Sequence, residues 1–383
     1  MNKKKYFISE EASLKWLESH CIYNIFSDEL YEIDDSAFEF FKSCASGNGC
    51  NSCNISDVEF LKFSVEEGLL SKSRKAPRKI PSRQSPVPSL RYLELQITNR
   101  CNLSCRHCYI GKKSTVELDI DAIRKIMNEF EEIQGLRLLI TGGEPLLYSR
   151  FDELNSMLHD YEFRKILFTN GLLLDSEILG KLNVNEIQIS IDGLNEAHDF
   201  IRGKGTYEKS IEAVKMVAGT SFQVSVSTMV HTRNLNDFDE MGRIFSEIGV
   251  RDWSVDVPCI AGFLKDNPDI VPPPDVAGKY LRYGFGEGLH GGGAGYVCGL
   301  HLMSVMADGR AAKCSFYSED PVGHIGEGLE ICWKRVEHAP LSDLDCNCAH
   351  LDTCRGGCRY RASLSGNARS GDPYRCAAFL GSD

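Results

Sequence analysis

The chain has 383 residues, 42% of them hydrophobic and 25% charged, with a formal net charge of −11. That charge argues against a nucleic-acid partner held by phosphate neutralisation, and the length suggests two or three domains. No run reaches the ~18 apolar residues of a membrane span. The basic start MNKKK leads into no apolar segment, so no membrane partner and a cytoplasmic location are expected.

Residues 1–71 read as a small α+β unit. KYFIS, CIYNIF and ELYEID are strand-like runs, the last two joined by a turn at Ser27-Asp28. Helices are expected over 36–43 and 56–70, the second carrying Leu61, Val65 and Leu69 on one face. Residues 72–90 hold four prolines and six basic residues and read as an exposed linker. Over 91–272 strands alternate with helices. YLELQI, LRLLIT, KILFT, EIQISI, FQVSVSTMV and DWSVDV are the strand candidates. Helical patterns lie near 119–134, 151–160, 175–182, 207–218 and 235–248, and Asp119 is the expected N-cap of the first. Such alternation implies an α/β fold with a parallel sheet, open or curved into a partial barrel, and ligands at the C-terminal strand ends. In 273–383 glycine becomes dense, periodicity fades and cysteines accumulate. A loop-rich region short of apolar core needs metals to hold it together.

Sixteen cysteines are unevenly spread: three at 44–53, three at 101–108, eight from Cys298 to Cys376, with Cys21 and Cys259 alone. In a reducing cytosol such clusters bind metal more often than they form disulfides. Cys101, Cys105 and Cys108 follow the first strand of the alternating region with gaps of three and two residues. Cluster iron ordinarily takes four cysteines, so three leave one iron open. A structural zinc site with a distant fourth ligand fits the same spacing. The ends of the next strands carry Gly142-Gly143-Glu144-Pro145, Thr169-Asn170-Gly171 and Ser190-Ile191-Asp192-Gly193, with Arg202 shortly after. Glycines there permit close backbone approach, Glu144 offers an acceptor to an ammonium group, and Arg202 could clamp a carboxylate.

In this order of motifs, residues 91 to about 257 resemble the radical S-adenosylmethionine (SAM) superfamily, whose core is a partial (β/α)6 barrel. The resemblance implies that Cys101, Cys105 and Cys108 hold a [4Fe–4S] cluster whose open iron chelates SAM. It assigns Gly142, Gly143 and Glu144 to the amino group, Ser190 and Arg202 to the carboxylate, and Asn170 and Asp192 to the nucleoside. His107 stands where the family usually has an aromatic residue. The implied chemistry is reductive cleavage of SAM to methionine and a 5′-deoxyadenosyl radical, which removes a hydrogen atom from the substrate. A reductant such as ferredoxin or flavodoxin is the implied electron donor.

The second constellation reads Cys298, Gly309-x4-Cys314, Cys346-x-Cys348-x5-Cys354-x3-Cys358 and Cys376. It resembles the SPASM extension of peptide-modifying radical SAM enzymes, with one residue fewer between Cys346 and Cys348. That resemblance implies two auxiliary [4Fe–4S] clusters, one on Cys298, Cys314 and Cys358, the other on Cys346, Cys348, Cys354 and Cys376. Cys259 could complete the first, act in the reaction or simply be buried; Cys332 reads as core. The N-terminal unit resembles the winged-helix, PqqD-like domain that takes up a leader peptide as an added strand. Cys44, Cys50 and Cys53, with Cys21 as a fourth ligand, could instead hold zinc. Together these features imply an enzyme that modifies a ribosomal precursor peptide. Thioether formation, C–C crosslinking, epimerisation and decarboxylation all stay open. The alternatives are a tetrapyrrole decarboxylase, a sulfatase maturase, disfavoured because Ser315 follows Cys314 where such maturases place aspartate, or a non-catalytic iron–sulfur or zinc protein.

Overall fold

The computed structural model describes residues 5–51, 58–286 and 295–380. It begins with β1 (Lys5–Ile8), β2 (Ala12–Trp16), β3 (His20–Asn24), β4 (Glu29–Glu32), α1 (Asp35–Ala45), β5 (Cys50–Asn51), α2 (Val58–Glu66) and β6 (Leu70–Ser71). β2, β3 and β4 form an antiparallel meander, and β5 and β6 flank β1 in a second small sheet. Asp34 caps α1 by accepting from Ala37 N, and α1 packs Phe38, Phe40 and Phe41 against Ile8, Leu14 and Ile22. β2 is missing from the sequence reading although Ser13 and Lys15 alternate with its apolar residues, the period-two pattern of a strand. Both polar side chains are nevertheless buried, and Lys15 Nζ donates to the carbonyls of Gly135 and Glu162 at 3.1 and 3.0 Å. The strand is sandwiched between its own core and the larger sheet.

That larger sheet follows from β7 (Tyr92–Gln96), α3 (Ile120–Glu132), β8 (Arg137–Thr141), α4 (Phe151–Leu158), β9 (Arg164–Thr169), α5 (Ser176–Leu179), β10 (Glu186–Ser190), α6 (Asn195–Arg202), α7 (Thr206–Ala218), β11 (Gln223–Met229), α8 (Phe238–Ile248) and β12 (Asp252–Asp256). β7 to β12 are parallel and lie in chain order. Asp119 caps α3, accepting from the amides of Asp121 and Ala122. Their apolar positions, such as Leu93, Leu138, Leu167, Ile187, Ile189 and Val226, share one core with Ile126, Phe130, Leu154, Val214 and Phe245 of the helices. The alternate positions of β10 to β12 are polar: Gln188, Ser190, Ser227 and Ser254 line a cavity on the other face. A parallel strand buried on both faces would be apolar throughout. The period-two alternation therefore marks a sheet with one wet face.

The cysteine-rich end is loop-rich, as expected, and adds three strands to the sheet. β13 (Leu302–Val305) pairs parallel with β7, and β14 (Arg310–Ala312) and β15 (Gly323–His324) extend the same sheet to nine strands. The stretch 72–90 is largely exposed but is tied down at intervals. Arg78 donates to the carbonyl of Ala12 and pairs with Glu162, Lys79 pairs with Glu131, and Ser85 and Ser89 are buried. Four of its six basic residues, Lys75, Arg78, Lys79 and Arg83, find carboxylates on neighbouring elements, which composition cannot show.

The Ser27-Asp28 turn enters the N-terminal end of the barrel instead of solvent. Asp28, with a left-handed φ of 67°, meets Arg137 at 2.5 Å and Arg164 at 3.5 Å and accepts from Tyr23. Arg164 also donates to the carbonyls of Ile25 and Phe26 and pairs with Glu186 at 2.7 Å. Removing one member of a buried ion network leaves its partners' charge uncompensated, costing about 3–5 kcal/mol. Asp28→Ala is thus expected to free the N-terminal unit for limited proteolysis and to lower the urea midpoint. An unchanged digestion pattern would rule out this docking role.

Candidate active site

The C-terminal ends of the parallel strands surround a cavity of about 420 Å³. Cys101, Cys105 and Cys108 line it together with Gly142, Gly143, Asn170, Ser190, Asp192, Arg202 and Cys259. The cysteine loop is fastened by neighbours from several strand ends. Gly143 N donates to Thr98 O and Glu144 N to Arg100 O, both at 2.8 Å. Asn170 Nδ2 donates to Asn102 Oδ1 at 2.8 Å, Arg106 N to Ile201 O and Phe263 N to Cys108 O, each at 2.9 Å. Motifs distant in sequence thereby hold one loop.

The paired glycines are needed for this approach. A Cβ on Gly142, whose φ is +152°, would lie 2.5 Å from Thr98 O; on Gly143 it would lie 2.3 Å from Arg100 O and 2.9 Å from Cys101 Cβ. Backbone must move to admit either, and such overpacking costs about 1–3 kcal/mol. Gly143→Ala is expected to lower the melting temperature and to cut the iron taken up on reconstitution. Wild-type iron content in this variant would refute the tight fit.

Asp192 is the electrostatic centre of the site. Its carboxylate takes Arg202 Nε at 2.6 Å and His107 Nε2 at 3.3 Å, and accepts from Met229 N at 2.8 Å. Burial opposes its charge, but Arg202 and His107 hold it well below the usual carboxylate range. His198 and His231 hydrogen-bond its main chain, and Asn234 donates to its carbonyl. Asp192 therefore orients Arg202, which the sequence reading treats as a free clamp, and it engages His107. Burial draws the His107 imidazole down to about 4, so it is neutral. Its Nδ1 has no partner among the described residues. Only the tertiary fold brings His198, His231 and Asn234 to this point.

Glu144 sits differently from its expected place. It is fully buried, does not line the cavity, and accepts from Thr169 Oγ1 at 2.8 Å, Asn170 N at 2.9 Å and Leu146 N at 3.3 Å. Burial outweighs these donors and raises its carboxyl to about 7. Its work in this structure is to tie Gly142-Gly143 to Thr169-Asn170. Burial likewise pushes Cys105 up to about 11, against the pull of Arg202. A metal taking this thiolate must displace the proton.

The C-terminal cysteines form two groups. Cys358 hydrogen-bonds with both Cys259 and Cys298, an arrangement that favours its thiolate, and Cys314 lies near Cys358. Cys346, Cys348, Cys354 and Cys376 neighbour one another, so the shortened Cys346-Asn347-Cys348 spacing separates neither from the rest. Among the described residues no three His, Cys, Asp or Glu side chains are drawn in as around a single ion. Cys332 is core, donating to the carbonyl of His324. At the N-terminus Cys44 neighbours Cys50. Cys21 faces the opposite side of β3, packed with Tyr23 and Leu136, which removes it as their fourth ligand. Cys53 lies outside the described residues.

Glu94 on β7 was not singled out by sequence. It accepts from Ser304 Oγ at 2.6 Å and Tyr109 OH at 3.3 Å, and Ser315 also donates to it. Tyr109 in turn meets Phe316 edge-on at 5.7 Å, closing the cavity. The signal was available: a glutamate among apolar residues of a strand that opens the barrel.

The sequence pattern described as the radical SAM superfamily matches residues 95–244. The chain is 33% identical over 337 residues to AdoMet-dependent heme synthase of Methanosarcina barkeri, covering 74% of this chain and 95% of that protein. It is 28% identical over 325 residues to mycofactocin maturase MftC of Mycolicibacterium smegmatis, covering 76% and 83%. Its fold is similar to that of Streptococcus suis SuiB, solved bound to precursor peptide SuiA, with TM-score 0.69 and 15% identity over 97% of this chain and 99% of SuiB. No helix among the described residues is long and apolar enough to cross a membrane. With its cysteine triad and strand-end motifs around one cavity, the chain belongs to the radical SAM superfamily and is an iron–sulfur enzyme that uses S-adenosylmethionine.

Proposed function

We propose that this enzyme modifies a ribosomally made precursor peptide. The observation that carries the reading is extent. By sequence the heme synthase and the maturase MftC match similar shares of the chain, 74% and 76%, and the fold of the peptide-bound SuiB extends over 97%, taking in the N-terminal unit as well. The N-terminal unit supports it physically. β4 is an edge of its meander, and beside it Tyr31 meets Phe63 of α2 edge-on at 5.5 Å. Phe63 is 43% exposed. An extended peptide added to this edge gains main-chain hydrogen bonds and an apolar rail.

The residues present fit a cluster and SAM: three thiols at one cavity wall, a glycine approach too close for any Cβ, and an arginine beside Cys105. When bound, this pair supplies a radical able to take hydrogen from an unactivated carbon. The chain's own residues do the remaining work. Cys101, Cys105 and Cys108 would hold the cluster, and Asp192 keeps Arg202 in place where, with Ser190, it would meet the SAM carboxylate. Asn170 and His107 would flank the nucleoside. Phe168, Phe263 and Phe316 exclude water, while Gln188, Ser227 and Ser254 offer hydrogen bonds to peptide main chain. We assign Cys259, Cys298, Cys314 and Cys358 to one auxiliary cluster and Cys346, Cys348, Cys354 and Cys376 to another. A reduced flavodoxin or ferredoxin is the assigned electron donor.

The test is anaerobic reconstitution followed by dithionite, SAM and a short peptide encoded beside this reading frame. Formation of 5′-deoxyadenosine together with a mass change in the peptide is expected, with iron at about twelve per chain. Decarboxylation of a tetrapyrrole with the peptide untouched would sink this reading. Absence of SAM cleavage would contradict the enzyme assignment itself.

A further inference from the structure

The chain is acidic overall, yet residues 95–116 contain Arg100, Arg106, Lys112 and Lys113 and no Asp or Glu. These are the residues that wrap the cysteine triad. Lys112 and Lys113 are exposed, as is Arg233, and no carboxylate lies within ion-pair distance of any of them among the described residues. Arg106 and Arg233 lie over the same Phe200 ring at 4.3 and 5.0 Å, so one aromatic residue fixes both guanidiniums on the outer face. Arg106 also reaches Asp269 at 3.5 Å, and Arg100 reaches Glu117 at 3.4 Å, which leaves the other three as the uncompensated charge.

The far cysteine groups present a different surface. Arg355 is spent on the carbonyls of Tyr296 and Val297, and Arg359 on those of Ala368 and Ser370. Arg361 is held between Asp256 at 3.0 Å and Asp372 at 2.8 Å. Asp343, Asp345 and Asp352 are exposed there, with Arg369 as their exposed counter-charge. Of these two surfaces, the triad loop is the one whose charge complements an acidic protein.

We propose that the triad loop, with Lys112, Lys113 and Arg233, is the docking surface of an acidic one-electron carrier protein of the flavodoxin or ferredoxin kind. The site rests on the functional reading above, since only an enzyme with a reducible cluster needs such a donor. The exchange is one electron: the carrier is oxidised, the cluster is reduced, and no bond or proton is transferred. Docking here places the donor against the loop whose Asn102 and Ser104 are exposed between the cysteines.

The experiment compares wild type, Lys112→Glu/Arg233→Glu and Arg369→Glu, all reconstituted, with oxidised flavodoxin as the binding probe. Lys113 also lines the cavity and is left in place, whereas neither Lys112 nor Arg233 does. The double variant should bind flavodoxin at least about tenfold more weakly at low salt and lose most of the salt dependence of binding. Its dithionite-driven SAM cleavage should stay at the wild-type rate, and Arg369→Glu should bind normally. Unchanged flavodoxin affinity in the double variant overturns the proposal, as does a loss confined to Arg369→Glu. A raised KM for the precursor peptide under dithionite, with flavodoxin binding intact, would reassign the patch to substrate. Failure of wild type to cleave SAM with dithionite would instead refute the functional reading, because no carrier takes part in that assay.

Discussion

Cys105→Ala is expected to abolish SAM cleavage, lowering the rate at least about a thousandfold, roughly 4 kcal/mol of activation free energy. Cys105 has no substitute nearby. Its loop is clamped by Asn170, Ile201 and Phe263, and the remaining cavity cysteine, Cys259, is engaged with Cys358. A cluster left with two thiolates is expected to be lost, so reconstituted iron should fall by about four per chain while the C-terminal groups keep theirs. Cys332→Ala serves as the control. That thiol is fully buried, away from the cavity, and its loss should cost about 1 kcal/mol of stability with iron unchanged. If Cys105→Ala retained both iron and cleavage, the triad would not be the SAM-binding cluster's site.

The second large effect concerns Glu144 and pH. Its carboxyl is raised from 4.5 to about 7 by burial. Below the unfolded value both folded and unfolded chains hold the proton. Between the two values only the folded chain holds it, so this group's contribution to stability declines as pH rises and is lost above about 7. The window corresponds to about 3 kcal/mol. Glu144→Gln is neutral throughout. The difference in unfolding free energy between wild type and variant should therefore move by about 3 kcal/mol between pH 4.5 and 7, in favour of the variant at the higher pH. Parallel stability curves would mean that the carboxyl titrates normally. The same substitution withdraws an acceptor from Thr169 or Asn170, and loosening that loop should weaken SAM binding about tenfold. Equilibrium dialysis of the reconstituted variant measures this second effect separately.

Much of the site was legible because its motifs are local. CxxxCxxC, GGEP and the strand-end turns each occupy a few consecutive residues, and the α/β alternation places each at a strand end. The partition of the C-terminal cysteines was legible only through resemblance. Cys259 was left with three readings, and only the fold shows that it meets Cys358. Such a contact depends on where β12 ends relative to a loop a hundred residues away.

The stretch 72–90 and β2 show the same limit from the other side. A basic, proline-rich stretch gives no hint that Glu131 and Glu162 tie it to the fold. Lys15 looks like a solvent residue until two carbonyls receive it. Charge is satisfied by partners distant in sequence, so burial of polar residues is a tertiary fact.

The cysteine triad and the parallel sheet are legible in short-range order: residue type, spacing and period-two or helical alternation. The family was legible as a resemblance carried by those motifs. The tertiary structure alone decided that Asp192 binds Arg202 and His107, that Glu144 braces a loop from behind the cavity wall, and that three cations stay unpaired beside the triad. The physical reason is common to all three. An ionisable side chain takes its role from the charges and burial that the fold brings within a few ångströms, and those neighbours come from elements far apart in the chain.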